Sequence, residues 1–302
     1  MTASHRQWKG TTGGNTLGQK GLLLLFRIIN IKALYAIVAV VVPFYMLFRL
    51  KGYLPIYRYF RKHFHNTPLR AFCNTYRNHF VFGQCMLDRF AVYTGNEKLF
   101  TFDFTGHDRM MDLIHDKKGF IIASAHTGNF ELSGYMEEHD HKRIHTLVYG
   151  GETKEIMKNR NKTFQKRNVS MIPVKQDFSH IFFINDALSK GEVISILCDR
   201  NTGNGKTAEC AFLEGKADFP LGAFMLAVQF DIPVLTVFVM KESLSHYHVY
   251  IKPLATPTTG AKNERAAHYA QAFADELETV VKKYPEQWFN YYEFFKTISD
   301  NL

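Results

Sequence analysis

The sequence lacks acidic residues over its first 87 positions. Between Met1 and Leu87 there are twelve lysines or arginines and no aspartate or glutamate. The rest of the chain holds 25 basic and 28 acidic residues, so the formal net charge of +9 arises in the N-terminal part. A basic segment beside apolar residues attracts anionic lipid, by about 1 kcal/mol for each basic residue near the surface. Nucleic acid is the other partner of basic arms, but it does not explain the apolar runs Leu22–Leu25 and Ala33–Phe48 in the same arm.

No apolar run is long enough to be an unambiguous membrane span. The run from Ala33 to Phe48 has sixteen residues without a charge between Lys32 and Arg49, and Pro43 interrupts it. A spanning helix needs about 20 apolar residues, with a lower limit near 17. A spanning helix, a helix that lies in one leaflet and a buried core hairpin therefore all fit this run. The basic flanks favour membrane association, and the length leaves spanning open.

Cysteine is scarce, and cysteine pairs with metal-binding or redox spacing are absent. The four cysteines are Cys73, Cys85, Cys198 and Cys210. No C-x-x-C pair occurs and no secretory cleavage site follows the apolar run, so we expect free thiols in a reducing compartment. Two histidine pairs, His139 with His141 and His246 with His248, offer no third ligand at a fixed spacing. We therefore expect no metal site.

Two widespread catalytic motifs are missing. The chain has no G-x-S-x-G sequence, so the nucleophile elbow of α/β-hydrolases is absent. The run Gly203–Thr207 resembles the end of a phosphate-binding loop, but the first glycine of that pattern would fall at Arg200. We interpret this run as a loop without a nucleotide-binding role.

The chain does contain a regular alternation of strand-like and helix-like runs from about residue 98. Strand-like runs are Phe120–Ala125, Ile144–Tyr149, Ser170–Val174, Val193–Cys198, Val234–Met240 and Tyr247–Ile251. Helix-like runs are Glu131–Glu138, Lys154–Lys166, Phe178–Ser189, Leu221–Phe230 and Glu264–Lys283, and Phe72–Tyr93 has the spacing of an amphipathic helix. The alternation predicts an α/β domain over residues 56–302, with a largely parallel central sheet flanked by helices. Residues 1–55 are then an N-terminal membrane-associating helical segment.

The most informative stretch is Ser124–Glu131, which reads SAHTGNFE. It places His126 and Glu131 five positions apart, between a strand-like and a helix-like run. A histidine at the end of a strand can take a proton from a hydroxyl, and a nearby carboxylate can fix its tautomer and stabilise the imidazolium. In a chain with fourteen histidines, this spacing alone does not exclude a histidine that only satisfies a loop. Asp199 and Arg200 also follow a strand-like run, at the end where parallel sheets bind ligands.

Six short blocks extend this pattern along the chain. They are Ser124–Gly134, Leu197–Arg200, Phe212–Gly215, Phe219–Gly222, Pro233–Phe238 and Pro285–Phe289. In this order, and with the basic start and apolar helix before them, they resemble the lysophospholipid acyltransferase superfamily. Within it the resemblance is to the branch of late lipid A and bacterial glycolipid acyltransferases, and it covers nearly the whole chain.

The C-terminal end departs from that branch. Where the late lipid A enzymes usually have a histidine and two arginines, this chain has Tyr292, Glu293 and Phe294. The run Trp288–Phe295 is more similar to predicted acyltransferases associated with aryl polyene-type pathways. This departure puts lipid A as the acceptor in question.

The resemblance implies roles for the residues of the first block. His126 would be the general base, and Glu131 would hold it and stabilise its charged form in a His-x4-Glu dyad. Gly128 would let the backbone come close to the substrate. Asn129 would either donate to the developing oxyanion or only order the turn.

The resemblance also implies a reaction. A fatty acyl group would pass from the thioester of acyl carrier protein or coenzyme A to a hydroxyl of a lipid or glycolipid, with no cofactor. The reaction would take place at the cytoplasmic face of a bacterial inner membrane. Asp199 and Arg200 would bind substrate, or form a pair that orders their loop. The alternatives are a lipid-binding protein of the same fold without catalysis, and a thioesterase-like hydrolase with water as the acceptor.

Overall fold

A seven-stranded sheet forms the centre of the protein. The computed structural model describes residues 30–48, 50–135, 141–149, 168–174, 177, 179–201 and 205–295. The described residues form nine strands, of which seven belong to the central sheet. They are β1 (Thr101–Thr105), β2 (Phe120–Ser124), β3 (Ile144–Tyr149), β4 (Val169–Val174), β5 (Val193–Leu197), β6 (Thr207–Phe212), β7 (Gly215–Pro220), β8 (Val234–Lys241) and β9 (His246–Pro253). The sheet has the order β1-β9-β8-β2-β5-β3-β4, and β6 and β7 form a separate hairpin.

The central sheet is largely parallel, as predicted. The strands β8, β2, β5, β3 and β4 run parallel to one another. β9 is antiparallel to β8, and the edge strand β1 is parallel to β9. All six predicted strands are confirmed, whereas β1 and the β6–β7 hairpin were not predicted. β1 is mostly exposed, so it lacks the continuous apolar run by which a strand buried on both faces is recognised.

Helices surround this sheet. They are α1 (Ile31–Phe48), α2 (Leu50–Lys62), α3 (Pro68–Tyr93), α4 (His107–His115), α5 (Ser179–Ser189), α6 (Gly222–Phe230) and α7 (Lys262–Lys283). The helices predicted at positions 72–93, 178–189, 221–230 and 264–283 are confirmed with shifts of a few residues. The predicted helix Lys154–Lys166 lies outside the described residues. After His126 the chain forms a 3₁₀ helix over Phe130–Tyr135, and the rest of the helix predicted there lies outside the described residues.

Two apolar clusters cover the two faces of the sheet. Ile121 and Ala123 of β2 face a cluster that includes α6 and α7, and Phe120 and Ile122 face a second cluster with α4. Every residue of β2 and β8 is buried, as is typical of central parallel strands covered on both faces. The four cysteines are free thiols, as predicted.

The apolar helix α1 lies along α3. Its buried residues, Leu34, Tyr35, Val42 and Met46, face that helix. A Cβ atom at Gly83 would lie 2.5 Å from Val38 Cγ1, so glycine allows the two helices to approach closely.

The outer side of α1 carries exposed apolar side chains, so α1 is not the buried core element that was one of three interpretations. These side chains belong to Ile37, Val40, Val41, Phe44, Leu47 and Phe48. By length and composition α1 is the one helix among the described residues that could cross a membrane, which is weak evidence for a span.

Candidate active site

The register of two neighbouring strands brings His126 and Asp199 together. β2 and β5 are parallel, and Ser124 at the end of β2 lies opposite Leu197 at the end of β5. Past these ends the backbone N–H of Cys198 donates to the Ser124 carbonyl at 2.8 Å. His126 and Asp199 each follow by two residues, so they emerge side by side at the carboxyl edge of the sheet.

The carboxylate of Asp199 holds the ring of His126. Nδ1 of His126 donates to Oδ1 of Asp199 at 2.7 Å. Oδ2 of Asp199 accepts from the backbone N–H of His126 at 3.0 Å and from Nε1 of Trp288 at 3.2 Å. Asp199 has no exposed side-chain surface, while 19% of the His126 side chain remains exposed. The other ring nitrogen, Nε2, has no hydrogen-bond partner among the described residues.

The electrostatics of the pair favour a neutral imidazole beside an ionised carboxylate. Burial lowers the pKa of His126 from its usual 6.5, and the positive charge of Arg200 acts in the same direction, whereas Asp199 opposes it. Burial alone would raise the pKa of Asp199, but the attraction and hydrogen bonds of His126 and the charge of Arg200 outweigh it and place this pKa at about 2. At neutral pH the ring can therefore accept a proton, which is the state that a general base requires.

The C-terminal segment around Trp288 also contacts the His126–Asp199 pair. Thr127 and Trp288 form an antiparallel bridge. Within it Gly128 N–H donates to the Gln287 carbonyl and Phe289 N–H donates to the His126 carbonyl, both at 2.8 Å. The indole N–H of Trp288 thus reaches Asp199 from a segment whose backbone is tied to the histidine turn. The block Pro285–Phe289 resembles an acyltransferase family, but the sequence pattern predicts no role for Trp288.

Glu131 is not the acceptor of the His126 Nδ1 hydrogen bond, contrary to the expected dyad. Its carboxylate accepts from Nη1 of Arg89 at 2.9 Å and from the hydroxyl of Tyr93. Both donors are on α3, one turn apart. The five-residue spacing places Glu131 in the 3₁₀ helix that turns toward α3, whereas the strand register places Asp199 at the ring. The orienting role expected of Glu131 therefore falls to Asp199, and a role of Glu131 in the chemistry stays a prediction.

Gly128 and Asn129 stabilise the turn that carries His126. Gly128 has a positive φ of 49°, and a Cβ atom there would lie 2.1 Å from the Val239 carbonyl oxygen. Its close approach is thus to β8 rather than to a substrate. Asn129 is fully buried, and its Nδ2 donates to the carbonyl of Cys85 at 3.2 Å and to the hydroxyl of Tyr247 at 3.1 Å. This geometry favours the ordering role of Asn129 over donation to an oxyanion.

Asp199 and Arg200 were both expected to bind substrate, and both make hydrogen bonds within the protein. Asp199 is fully buried and occupied by His126 and Trp288, so the expectation that it contacts substrate is replaced by its role beside His126. Arg200 donates from Nη2 to the Phe289 carbonyl at 2.8 Å. Its guanidinium lies 5.9 Å from the centre of the Tyr292 ring. These contacts favour loop ordering, and substrate binding by Arg200 stays a prediction.

The histidines of the two pairs that were excluded as metal ligands have other partners in the described part of the chain. His246 Nε2 lies 3.3 Å from a carboxylate oxygen of Asp103, and His248 Nε2 lies 2.7 Å from the Thr105 hydroxyl. His139 lies outside the described residues. Among the described residues there is no group of three side chains that could hold a metal ion.

The comparison with known families agrees with the chemistry of this site. The model of the bacterial lipid A biosynthesis acyltransferase family matches residues 74–297, a range that contains both His126 and Asp199. The chain therefore belongs to this family: it is an acyltransferase that acts on a lipid acceptor, and members of the family are membrane-associated. No curated protein matches the chain. The resemblance to acyltransferases is confirmed at the level of the family, and the branch within it stays a prediction.

Replacement of Gly128 by alanine should unfold the turn. The new Cβ would clash with the Val239 carbonyl in a backbone conformation that alanine disfavours, so we expect a loss of about 2–4 kcal/mol of unfolding free energy. Urea denaturation measures the unfolding free energy of the variant and of the unsubstituted protein. Gly222→Ala is the control, because a Cβ there meets nothing within 4 Å. Equal stability of the two variants would contradict this account.

The pH dependence of activity should follow the lowered pKa of His126. The neutral ring is the active form, so activity is present above this pKa and is lost as the pH falls through it. We expect the acidic limb of kcat/KM to lie below pH 6.5, the usual histidine value. A limb at or above pH 6.5, in protein that circular dichroism shows to be folded, would contradict the prediction.

Proposed function

We propose that His126, oriented by Asp199, is the general base that activates the hydroxyl of a lipid acceptor for attack on an acyl thioester. One observation carries this proposal: the 2.7 Å hydrogen bond from His126 Nδ1 to the fully buried Asp199 carboxylate. This bond places the proton on Nδ1, which leaves the lone pair of Nε2 for the substrate.

The proposed step needs only groups of the chain and its two substrates. The acceptor hydroxyl gives its proton to Nε2 of His126, and its oxygen bonds to the carbonyl carbon of the thioester. Asp199 stabilises the imidazolium that forms. The tetrahedral intermediate then collapses, the carbon–sulfur bond breaks, and the leaving thiolate takes the proton from His126. The ester and a free thiol are the products, with no covalent enzyme intermediate and no cofactor.

The proposed donor is an acyl chain on acyl carrier protein or coenzyme A, and the proposed acceptor is a hydroxyl of a lipid or glycolipid. Exposed basic side chains on α2 and α3 support docking of an acidic carrier or an anionic lipid. They include Arg58, Arg61, Lys62, Arg70 and Arg77.

The three C-terminal residues that differ from those of the late lipid A enzymes also indicate which acceptor the protein uses. Tyr292 donates to the carbonyl of Asp199 at 3.3 Å, Glu293 pairs with Arg58, and Phe294 stacks edge-on against Trp288. Phosphate recognition relies on cationic side chains, and these three positions supply none. This supports an acceptor other than lipid A.

Three substitutions test which acid acts with His126. With acyl-carrier-protein and coenzyme A thioesters and a membrane lipid extract, we expect His126→Ala to lower the transfer rate about 10²–10⁴-fold. Asp199→Asn should approach the same loss, because the amide cannot stabilise an imidazolium. Glu131→Gln should cost much less. Mass spectrometry of the extract names the acyl chain and the lipid that gains it.

Three outcomes would contradict the proposal. One is no His126-dependent transfer to any lipid. Another is a larger loss for Glu131→Gln than for Asp199→Asn, when circular dichroism shows both variants folded. Release of free fatty acid at the full rate without an acceptor would instead support the thioesterase-like alternative.

We further propose that α1 lies in the plane of the cytoplasmic leaflet of a bacterial inner membrane and does not cross it. The buried residues Leu34 to Met46 contact the rest of the protein along about 18 Å of helix, so a crossing would separate α1 from α3. The hydroxyl of Tyr76 on α3 also donates to the Ala39 carbonyl at 3.0 Å. The outer face, with Phe44 57% and Phe48 82% exposed, is then free to enter lipid.

A single charge on the outer face of α1 should weaken membrane binding. We expect Phe44→Asp to lower binding to vesicles of phosphatidylglycerol and phosphatidylethanolamine about tenfold or more, because a buried phenylalanine contributes about 1.5–3 kcal/mol. Leu99→Asp is the control, since Leu99 is similarly exposed and does not belong to α1. Cosedimentation measures both. Equal binding of the two variants would contradict the in-plane placement.

A further inference from the structure

A buried ion pair joins α1, α3 and the sheet. Asp88 of α3 has no exposed side-chain surface, and Lys241 at the end of β8 is 4% exposed; its Nζ lies 2.6 Å from Asp88 Oδ2. The hydroxyl of Tyr35 on α1 donates to the other carboxylate oxygen, and the hydroxyl of Tyr247 on β9 donates to Oδ2. Tyr35, Asp88, Lys241 and Tyr247 are called the Asp88 network below.

The remaining donors of the network are also used internally. Lys241 Nζ donates to the Leu244 carbonyl at 2.9 Å and to the Tyr35 hydroxyl oxygen at 3.3 Å. Desolvation of two charges often makes a buried ion pair no more stabilising than apolar side chains of similar volume. Stability alone is therefore a weak explanation for this network, whereas its directional bonds fix the positions of three elements.

The network continues to the turn that carries His126. The hydroxyl of Tyr247 accepts from Nδ2 of Asn129 at 3.1 Å. Oδ1 of Asn129 accepts from Nε of Arg89 at 2.8 Å, and Nη1 of the same arginine donates to Glu131. The chain of hydrogen bonds thus runs from α1 to Asn129 and Glu131, which follow the histidine.

We propose that Tyr35 and Tyr247 are positioning residues for acyl transfer, which couple the seating of α1 to the turn that carries His126. This rests on the proposed function of His126. The turn has backbone anchors at Val239 and Gln287. The side chain of Asn129 is held by Cys85, by Arg89 and, through Tyr247, by the Asp88 network, which thus supplies one side-chain anchor of the turn. Displacement of α1 from α3 removes the Tyr35 hydroxyl from Asp88, so that the carboxylate and Tyr247 relax and the side-chain anchor loosens.

The chain offers a matched control for this proposal. Tyr76 also joins α3 to α1 through its hydroxyl, by the bond to the Ala39 carbonyl, but it lies outside the Asp88 network. Tyr35→Phe and Tyr76→Phe therefore each remove one hydroxyl between the same two helices. Only Tyr35→Phe breaks the path to Asn129.

The experiment measures kcat, KM for the thioester and the pH profile of the full chain in lipid vesicles. We expect Tyr35→Phe and Tyr247→Phe to lower kcat about three- to thirtyfold with KM unchanged, and Tyr76→Phe to lower it less than twofold. The acidic limb of both network variants should move up toward pH 6.5, because water reaches the loosened His126 and weakens the effect of burial. The limb of Tyr76→Phe should stay in place.

A double-mutant cycle separates coupling from simple loss of stability. Tyr35→Phe with Tyr247→Phe should lower kcat by clearly less than the product of the single effects, since both hydroxyls act through Asp88. Tyr76→Phe with Tyr247→Phe should lower kcat by the product of the two single effects of that pair. Multiplicative effects in the first pair, or a Tyr35→Phe enzyme indistinguishable from Tyr76→Phe, would overturn the proposal. If His126→Ala abolishes transfer at the same time, the proposed function stands while this inference fails.

Discussion

Asp199 reaches His126 because β2 and β5 run parallel and in register, and the rest of the site is arranged around that contact. A shift of the pairing by two residues would move one side chain by about 6.6 Å along the strand, far beyond hydrogen-bond range. In this register Ile121 pairs with Ile194 in one of the two clusters that cover the sheet, and Phe120 pairs with Val193 in the other, so core packing holds the alignment. The geometry of the proposed base is thus a consequence of core packing.

Burial of the Asp199 carboxylate requires donors, and the protein supplies them from distant parts of the chain. The His126 ring and backbone provide two hydrogen bonds, and Trp288 provides the third. These donors keep the carboxylate ionised although it is dry, and the same dry surroundings keep His126 neutral at neutral pH. The C-terminal segment is therefore part of the proposed base, because its indole N–H donates the third hydrogen bond to the carboxylate that orients the ring.

The apolar helix α1 has two different surfaces, and each belongs to a different part of the proposed function. Its outer face carries exposed apolar side chains that are proposed to enter lipid, while its inner face places the Tyr35 hydroxyl on the buried Asp88 carboxylate. Through Tyr247 and Asn129 the same carboxylate is connected to the histidine turn. Under the proposed coupling, the base is fully ordered only when α1 is packed on α3, which suits an enzyme that takes its acceptor from a membrane.

The sequence alone determined the strands of the parallel sheet, which are short apolar runs, and it identified His126 and placed Asp199 at a strand end. β1 and the β6–β7 hairpin could not be predicted from such runs, because β1 is mostly exposed and the two hairpin strands alternate buried and more exposed residues. Only the tertiary structure decided which acid serves the histidine. Glu131 is five residues away along the chain but turns toward Arg89, whereas Asp199 is 73 residues away and is brought alongside by hydrogen bonding between two strands. Spacing describes proximity along the backbone, and the order and register of strands in a sheet describe proximity in space.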